Sequence, residues 1–479
     1  MSAGRGPAPG SGWWDDAVVY QIYPRSFQDS NGDGVGDLAG IVSRLDHLAW
    51  LGVDALWCTP ITVSPNADFG YDVADFTAVD PSFGTLADFD TLVAEAKARG
   101  LRVLLDLVPN HTSDRHRWFL DPVLKPDYYV WTDRPNNWQA SFGGSAWQYD
   151  AGVGRHYLHN FLVEQPDLNW WNPAVRDEFD RILRFWFDRG TAGFRIDVAH
   201  GLIHDRELRD NPLPGPRDPE LYHLRGQVPM YNERRPEVHE IYRRWRRLAG
   251  EYDPERLLMG ETYVLDPDEW AAYYGRGDEL QLALNFMLQW APFEPSVLQR
   301  VVETSLATLR RVVGDEARTV WHGSSHDTSR LATRWCGGDE AKVRVALTML
   351  FTLPGATVLF QGDEIGLVDG VVPPDRWQDR AQVNRDPERT PMQWSDEPQA
   401  GFTTGEPWLP VGDHRRQNVA AQRQDPESIL HLTRELIALK RRLAGPYQAL
   451  EAPDGVWRYR RGDITVELDF ANSTARVDG

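Results

Sequence analysis

The chain has 479 residues and a formal charge of −20, from 51 Lys and Arg against 71 Asp and Glu. That balance argues against binding nucleic acid or an anionic membrane surface. The length suits two or three ordinary domains, or one α/β barrel carrying insertions. Two cysteines, Cys58 and Cys336, do not make a disulfide framework, and Cys58, inside the apolar run "VDALWCTPI", is expected to be a buried free thiol.

Residues 1–12, "MSAGRGPAPGSG", are rich in Gly, Pro and Ser and have no apolar segment, so they read as a disordered leader rather than a signal peptide. A cytoplasmic, reducing location follows as the default. Eight short apolar runs then recur along the chain, at 17–24, 53–60, 101–109, 193–198, 256–262, 280–286, 318–324 and 356–364. Between them lie helical patterns such as "LADFDTLVAEAKARG" and "VRDEFDRILRFWFDRG", apolar every three or four residues and closed by glycine. Near-continuous apolar strands alternating with helices predict a parallel sheet buried on both faces, and eight such units predict a (β/α)8 barrel. The longest uncharged stretch, Val345 to Phe360, is broken at Pro354-Gly355 and is too short to span a membrane.

The barrel is expected to occupy 13–110 and 171–443. The polar, aromatic segment 111–170 lacks helical period and predicts a small insertion domain after the third strand. At 444–479 the pattern changes to the alternation of "GVWRYRRGDITVELDF", which predicts a short antiparallel β module. An early loop, "DSNGDGVGD" at 29–37, carries acids or amides at its positions 1, 3, 5 and 9 and glycine at 6. This is the oxygen spacing of a loop that wraps a hard cation, although Gly40 stands where such a loop carries a glutamate; a polar turn is the alternative.

In a parallel barrel, polar residues that end a strand are the catalytic candidates. The rule selects Asp106, Asn110 and His111 in "LLDLVPNH", Asp197 in "GFRIDVAH", Glu261 in "LLMGET", and His326 and Asp327 in "HGSSHDTSR". A buried Arg-Asp pair in one strand is often only a structural ion pair. Three acids at one mouth, without a Cys/His zinc pattern, instead suit glycoside hydrolysis in which one carboxylate attacks and another protonates the leaving oxygen. Arg195 shares a strand face with Asp197 and is expected to keep it ionised as nucleophile. Glu261 has no neighbouring cation in sequence and fits the proton donor, while Asp327 would stabilise developing ring charge or grip hydroxyls. The 20 Trp, 16 Tyr and 18 Phe agree with stacking on sugar faces, although most such rings belong to a core.

The motifs "DLVPNH", "QPDLNW", "GFRID", "GET" and "HD", spread between about Trp13 and Trp408, resemble those of the α-amylase superfamily of retaining glycoside hydrolases, in its α-glucosidase and oligo-1,6-glucosidase branch. The resemblance implies Asp197 as nucleophile, Glu261 as acid/base and Asp327 as transition-state stabiliser. It implies Tyr71 as a sugar platform, Asp72 as partner of a 4- or 6-hydroxyl, and His111, Arg195 and His326 as hydroxyl donors. "RDPERTPMQW" at 385–394 is similar to the exo-acting branch, in which an arginine closes the pocket behind the terminal glucose; Arg385 is the first choice and Arg389 the rival. The same resemblance implies a structural calcium, with magnesium as the alternative, held by Asp29, Asn31, Asp33, the Val35 carbonyl and Asp37, and no organic cofactor.

The expected activity is that of an exo-acting retaining α-glucosidase on short α-glucosides. A transglucosidase or isomerase built on the same acids is the alternative, since a sugar can replace water at the glycosyl-enzyme. A non-catalytic barrel, as in transporter heavy-chain subunits that resemble this branch, is less favoured because those lose the acids. Ser325 stands where the family usually has Asn. Val198, directly after the nucleophile, resembles the α-1,6-preferring type, whereas "DVAHG" also resembles plain α-glucosidases, so linkage stays open, as does oligomeric state.

Overall fold

Every residue of the eight apolar runs that enters a strand is buried, except Arg102 at an edge of the third. The computed structural model describes all residues except 1–11, 122–124, 126, 217, 219–221, 224–225, 315–317 and 380–383; the expected leader therefore lies almost wholly outside the described residues. In chain order the barrel elements are β1 (Val18–Ile22), α1 (Leu38–Leu51), β2 (Ala55–Cys58), α2 (Leu86–Ala98), β3 (Arg102–Leu107), α3 (Pro173–Asp188), β4 (Gly193–Ile196) and α4 (Val238–Ala249). They continue with β5 (Leu257–Gly260), α5 (Pro267–Ala272), β6 (Leu282–Ala283), α6 (Pro295–Val312), β7 (Val320–His322), α7 (Glu340–Thr352), β8 (Ala356–Phe360) and α8 (Ile429–Lys440).

The strands are parallel and run β6-β5-β4-β3-β2-β1-β8-β7, and a parallel bridge between Leu284 and Val320 joins the two ends into a barrel. The fold is thus a TIM barrel. Alternation along each strand sorts its side chains into two cores. Val19, Trp57, Leu104, Leu257, Met259, Val320 and Val358 fill the interior, whereas Val18, Tyr20, Ile22, Leu105 and Phe194 pack outward against the helices. Each fully buried interior Leu contributes about 1.5–3 kcal/mol relative to an exposed one.

Local chemistry fixes where the helices begin. Asp37 caps α1 by accepting from Gly40 N, and Gly52 ends that helix in the left-handed conformation at φ +96°. Thr85 and Asp88 exchange hydrogen bonds at the start of α2. α3 starts from the Asn172 cap with Pro173 in its first turn, and turns Val175, Phe179, Ile182, Leu183, Trp186 and Phe187 inward.

The strands are shorter than the apolar runs, and they stop where the polar candidates begin. Register matters most at the middle of the sheet: Asp106 pairs with Arg195, and Arg195 with Met259. Asp197 N then donates to Leu107 O, and Glu261 N to Ile196 O, both at 2.8 Å, so three acids emerge at one rim. The excursion after β3 forms a three-stranded antiparallel sheet from Trp131–Thr132, Arg155–Leu158 and Trp147–Asp150. At the C-terminal end β9 (Tyr447–Leu450), β10 (Val456–Arg461), β11 (Ile464–Asp469) and β12 (Thr474–Asp478) form a four-stranded antiparallel sheet. Its buried face carries Trp457, Tyr459, Val466 and Leu468. Cys58 and Cys336 are buried free thiols, and burial pushes each up to about 12. Among the described residues no helix is long and apolar enough to cross a membrane.

Candidate active site

Arg195, 1 % exposed, is the hub of the rim. Its Nη1 donates to Asp106 Oδ1 at 2.8 Å and to Asp197 Oδ1 at 2.6 Å. Its Nη2 lies 2.6 Å from Glu261 Oε1. This corrects one expectation: Glu261 does have an adjacent cation, brought by strand register rather than by sequence proximity.

The three carboxylates differ in what remains to them. Asp106 uses its second oxygen to accept from Tyr71 OH at 2.9 Å and Trp57 Nε1 at 3.3 Å. Glu261 Oε2 accepts from Val198 N at 2.9 Å. Asp197 faces the pocket with one oxygen on Arg195. One guanidinium is thus divided among three acids. Burial pushes Asp197 well above the usual carboxylate range; Arg195 opposes the push, and Glu261, Asp106 and Asp327 add to it.

The other wall is built from the loop after β7. His326 Nε2 lies 2.6 Å from Tyr71 OH and 3.0 Å from Asp327 Oδ2, and its ring stacks on Tyr71 at 5.3 Å and 7°. Gln21 Nε2 donates to His326 Nδ1 at 2.8 Å. Asp327 Oδ1 accepts from Arg385 Nη1 at 2.9 Å and from Arg389 Nη2 at 2.8 Å. Burial alone would raise Asp327, but His326, Arg385 and Arg389 hold it well below the usual range. Ser325 Oγ accepts from Asp327 N at 3.2 Å.

Arg385 also reaches Asp68 Oδ1 through Nη2 at 2.8 Å, and Asp379 Oδ2 through Nε at 2.7 Å. Arg389 stands behind it, 1 % exposed, with Nε donating to His326 O at 2.7 Å. Of the two rivals, Arg385 lines the pocket. Asp72 is a second correction. Its carboxylate is fully buried in a turn, where it accepts from Ser64 Oγ at 2.8 Å and from Ala67 N and Asp68 N at 2.9 Å. Asp68, four residues earlier in the same loop, lines the pocket in its place. His111 is also in the wall: its Nε2 meets Tyr71 O at 3.1 Å and Gln165 Nε2 at 3.0 Å, and burial pushes its pKa down. Gln165 donates onward to Asp68 Oδ2 at 3.0 Å.

Together these groups line a cavity of about 350 Å³ with Tyr71, His111, Asp197, Val198, Glu261 and Asp327 at its wall, at the small end of the ligand-pocket range. Phe142, Phe161 and Trp290 complete it, Trp290 being 47 % exposed. None of these three, nor Asp68, Gln165 or Gln21, is selected by strand-end reasoning. Gln165 opens the motif "QPDLNW", and Asp68 lies four residues before Asp72; the aromatic three carry no distinguishing pattern.

The 29–37 loop is away from this cavity. Asp29 Oδ1 accepts from Asn31 N and Gly32 N, Asn31 Oδ1 from Asp33 N, and Asp33 Oδ1 from Val35 N, all at 2.8–2.9 Å. Gly34 turns the chain at φ +90°. A glutamate cannot stand at position 40, because a Cβ there would meet Gln28 O at 1.9 Å. Among the described residues no group of three or more His, Cys, Asp or Glu side chains is gathered as a metal site.

Comparison with known proteins agrees with the geometry. The family model described as "Alpha amylase, catalytic domain" matches residues 21–445. A probable α-glucosidase of Rhizobium meliloti (strain 1021) is 41 % identical over 463 residues, covering 90 % of this chain and 83 % of that protein. An oligo-1,6-glucosidase of Parageobacillus thermoglucosidasius is 36 % identical over 510 residues, covering 94 % and 88 %. Among solved structures, the α-glucosyl transfer enzyme XgtA superposes with a TM-score of 0.89 at 39 % identity, over 95 % of this chain and 90 % of that one.

Proposed function

The chain belongs to the α-amylase catalytic-domain family and is a glycoside hydrolase, and on that premise we propose that it is an exo-acting, retaining α-glucosidase of short α-glucosides. The observation that carries the reading is one guanidinium gripping two acids at a pocket backed by the Arg385–Asp68 pair. Holding Asp197 and Glu261 on two arms of Arg195 favours the short carboxylate separation of about 5–5.5 Å used by retaining glycosidases, over about 6.5–9.5 Å in inverting ones.

In this reading Asp197 attacks the anomeric carbon while Glu261 protonates the leaving oxygen. Glu261 then takes a proton from water, which releases the sugar from Asp197. Asp327, held ionised, opposes the positive charge that builds on the ring, and Asp68, His111, His326 and Arg385 meet its hydroxyls. The Arg385–Asp68 pair stops the chain behind one residue, which makes the cleavage exo. Product analysis on maltose, isomaltose, sucrose and trehalose tests the assignment and fixes linkage. On maltotetraose, release of maltose or maltotriose from the non-reducing end in place of glucose would sink the exo reading.

Glucosyl transfer is the second reading. It is favoured by the apolar rim of Phe142, Phe161 and Trp290, which can hold a sugar acceptor in place of water, and by the likeness to an α-glucosyl transfer enzyme. Calcium remains a proposal for the 29–37 loop. Asp29, Asn31, Asp33, the Val35 carbonyl and Asp37 would supply the hard oxygens such an ion takes, in a loop turned at Gly34 by φ +90°. When bound, it would brace the loop between β1 and α1. A cytoplasmic location is likewise part of this proposal.

A further inference from the structure

Behind the catalytic rim, inside the barrel, lies a second and much smaller cavity of about 10 Å³. Five of its lining residues are polar and almost wholly inaccessible, Ser324 and His326 among them; the other three are Gln21, 0 % exposed, Arg195, 1 %, and His322, 2 %. Each of these three has one polar atom without a protein partner, namely Gln21 Oε1, Arg195 Nε and His322 Nε2. A buried polar group left unpaired costs about 1–3 kcal/mol, so three unpaired atoms around one space call for a common partner.

The space selects that partner by size and charge. Its volume is that of a single water-sized sphere, and a buried water needs two to four polar contacts. Arg195 Nε can only donate and Gln21 Oε1 can only accept. Burial, with Arg334 and Arg195 nearby, pushes His322 down to about 3, so it is a neutral ring that donates or accepts according to tautomer. An anion would meet the Gln21 carbonyl and the Glu261 carboxylate, which also lines the space; a cation would meet Arg195.

We infer that this cavity is a binding site for one water molecule, which accepts from Arg195 Nε, donates to Gln21 Oε1 and pairs with His322 Nε2, and that His322 is thereby a positioning residue for the catalytic rim. The water joins the two walls of the active site from behind. On the β4 side it fixes the Arg195 plane whose Nη1 and Nη2 hold Asp197 and Glu261. On the β1 side it fixes the Gln21 amide so that Nε2 donates to His326 Nδ1. His326 then presents Nε2 as its N–H toward Tyr71 and Asp327.

A crystal structure of the full chain, at a resolution that defines ordered water, tests the site directly. The expected result is one peak within hydrogen-bond distance of all three atoms. Empty density, or an anomalous peak there after soaking in bromide, overturns it. The positioning role is read from His322→Phe, which fills the space with carbon, and His322→Asn, which keeps a polar partner. His322→Phe is expected to lose the water and roughly tenfold in kcat with KM within about twofold, and His322→Asn to keep most of the rate. Equal kcat in both variants overturns the positioning role, and should His322→Phe fail to fold, the density and His322→Asn still decide. The kinetic arm rests on the reading of Asp197 and Glu261 as the reacting pair, whereas the crystallographic arm does not. Wild-type enzyme inert on α-glucosides but with the water in place would therefore fail the functional reading alone.

Discussion

Asp68 and Arg385, 317 residues apart in the chain, meet at 2.8 Å and close the inner end of the pocket. Asp72, four residues from Asp68, points instead into its own turn and accepts three hydrogen bonds there. The two acids therefore predict opposite phenotypes. Asp68→Ala should lower kcat/KM on a disaccharide about a hundredfold, ~2.7 kcal/mol, with little change in Tm. Asp72→Ala should cost about 1–3 kcal/mol of stability through unpaired turn donors, with kinetics at low temperature nearly intact. Measured kcat/KM and Tm of the two variants decide it; a catalytic loss confined to Asp72→Ala would reverse the assignment.

The pH dependence follows from the division of Arg195 among three acids. In the proposed mechanism Asp197 must be ionised to attack, and burial with its like-charged neighbours raises its pKa. The acidic limb of kcat/KM is therefore expected above the usual carboxylate range near about 4. Asp106→Asn removes one of those charges and leaves more of Arg195 to Asp197, so the limb should move to lower pH. A profile of kcat/KM against pH for both enzymes checks this, and an unmoved limb counts against it. Asp327 has the opposite sign in stability: held below the usual range, it stabilises above about pH 4 and that contribution is lost as pH falls through its lower folded value.

Much of this was legible in the sequence for a physical reason. All eight strands are buried on both faces, so each shows as an apolar run, and the polar candidates stand at the ends of the third, fourth, fifth and seventh. What local sequence does not carry is lateral register. The pairing of Asp106 with Arg195 and of Arg195 with Met259 brings Glu261 onto the same guanidinium, although no cation adjoins it in "LLMGET". The choice between Asp68 and Asp72 was hidden similarly, because the intervening Phe69 and Gly70, at φ +47° and +106°, turn the chain and exchange which acid faces inward.

The metal loop gives a stability prediction. If the oxygen set of 29–37 holds calcium, chelation should lower Tm and added calcium restore it, whereas kcat on the remaining folded enzyme should hold, since the loop lies outside the pocket. Tm indifferent to both chelator and calcium would remove the ion. Gly40→Glu, which restores the glutamate of a cation-wrapping loop, should not strengthen the site. Its Cβ collides with the Gln28 carbonyl, and the expected result is a loss of more than about 1 kcal/mol.

Val198 links the strand that carries Asp197 to Glu261. A β-branched residue at φ +44° stores roughly 1–3 kcal/mol of strain, and the conformation aims its N–H at Glu261 Oε2, while Ala199 N donates to Glu261 O at 2.9 Å. The side chain meanwhile lines the pocket beside Asp197. Backbone and side chain should therefore separate on mutation. Val198→Asn tolerates the left-handed conformation and keeps the N–H, so kcat on an aryl α-glucoside should stay within about threefold, while the ratio of kcat/KM for maltose to isomaltose shifts by about tenfold or more, inside the ~1–3 kcal/mol that one pocket side chain commands. Val198→Pro lacks the N–H and cannot adopt positive φ, so kcat should fall more than about a hundredfold in protein whose circular dichroism shows it folded. A folded proline variant of near-normal kcat would mean that the Val198 amide does not hold Glu261 in place.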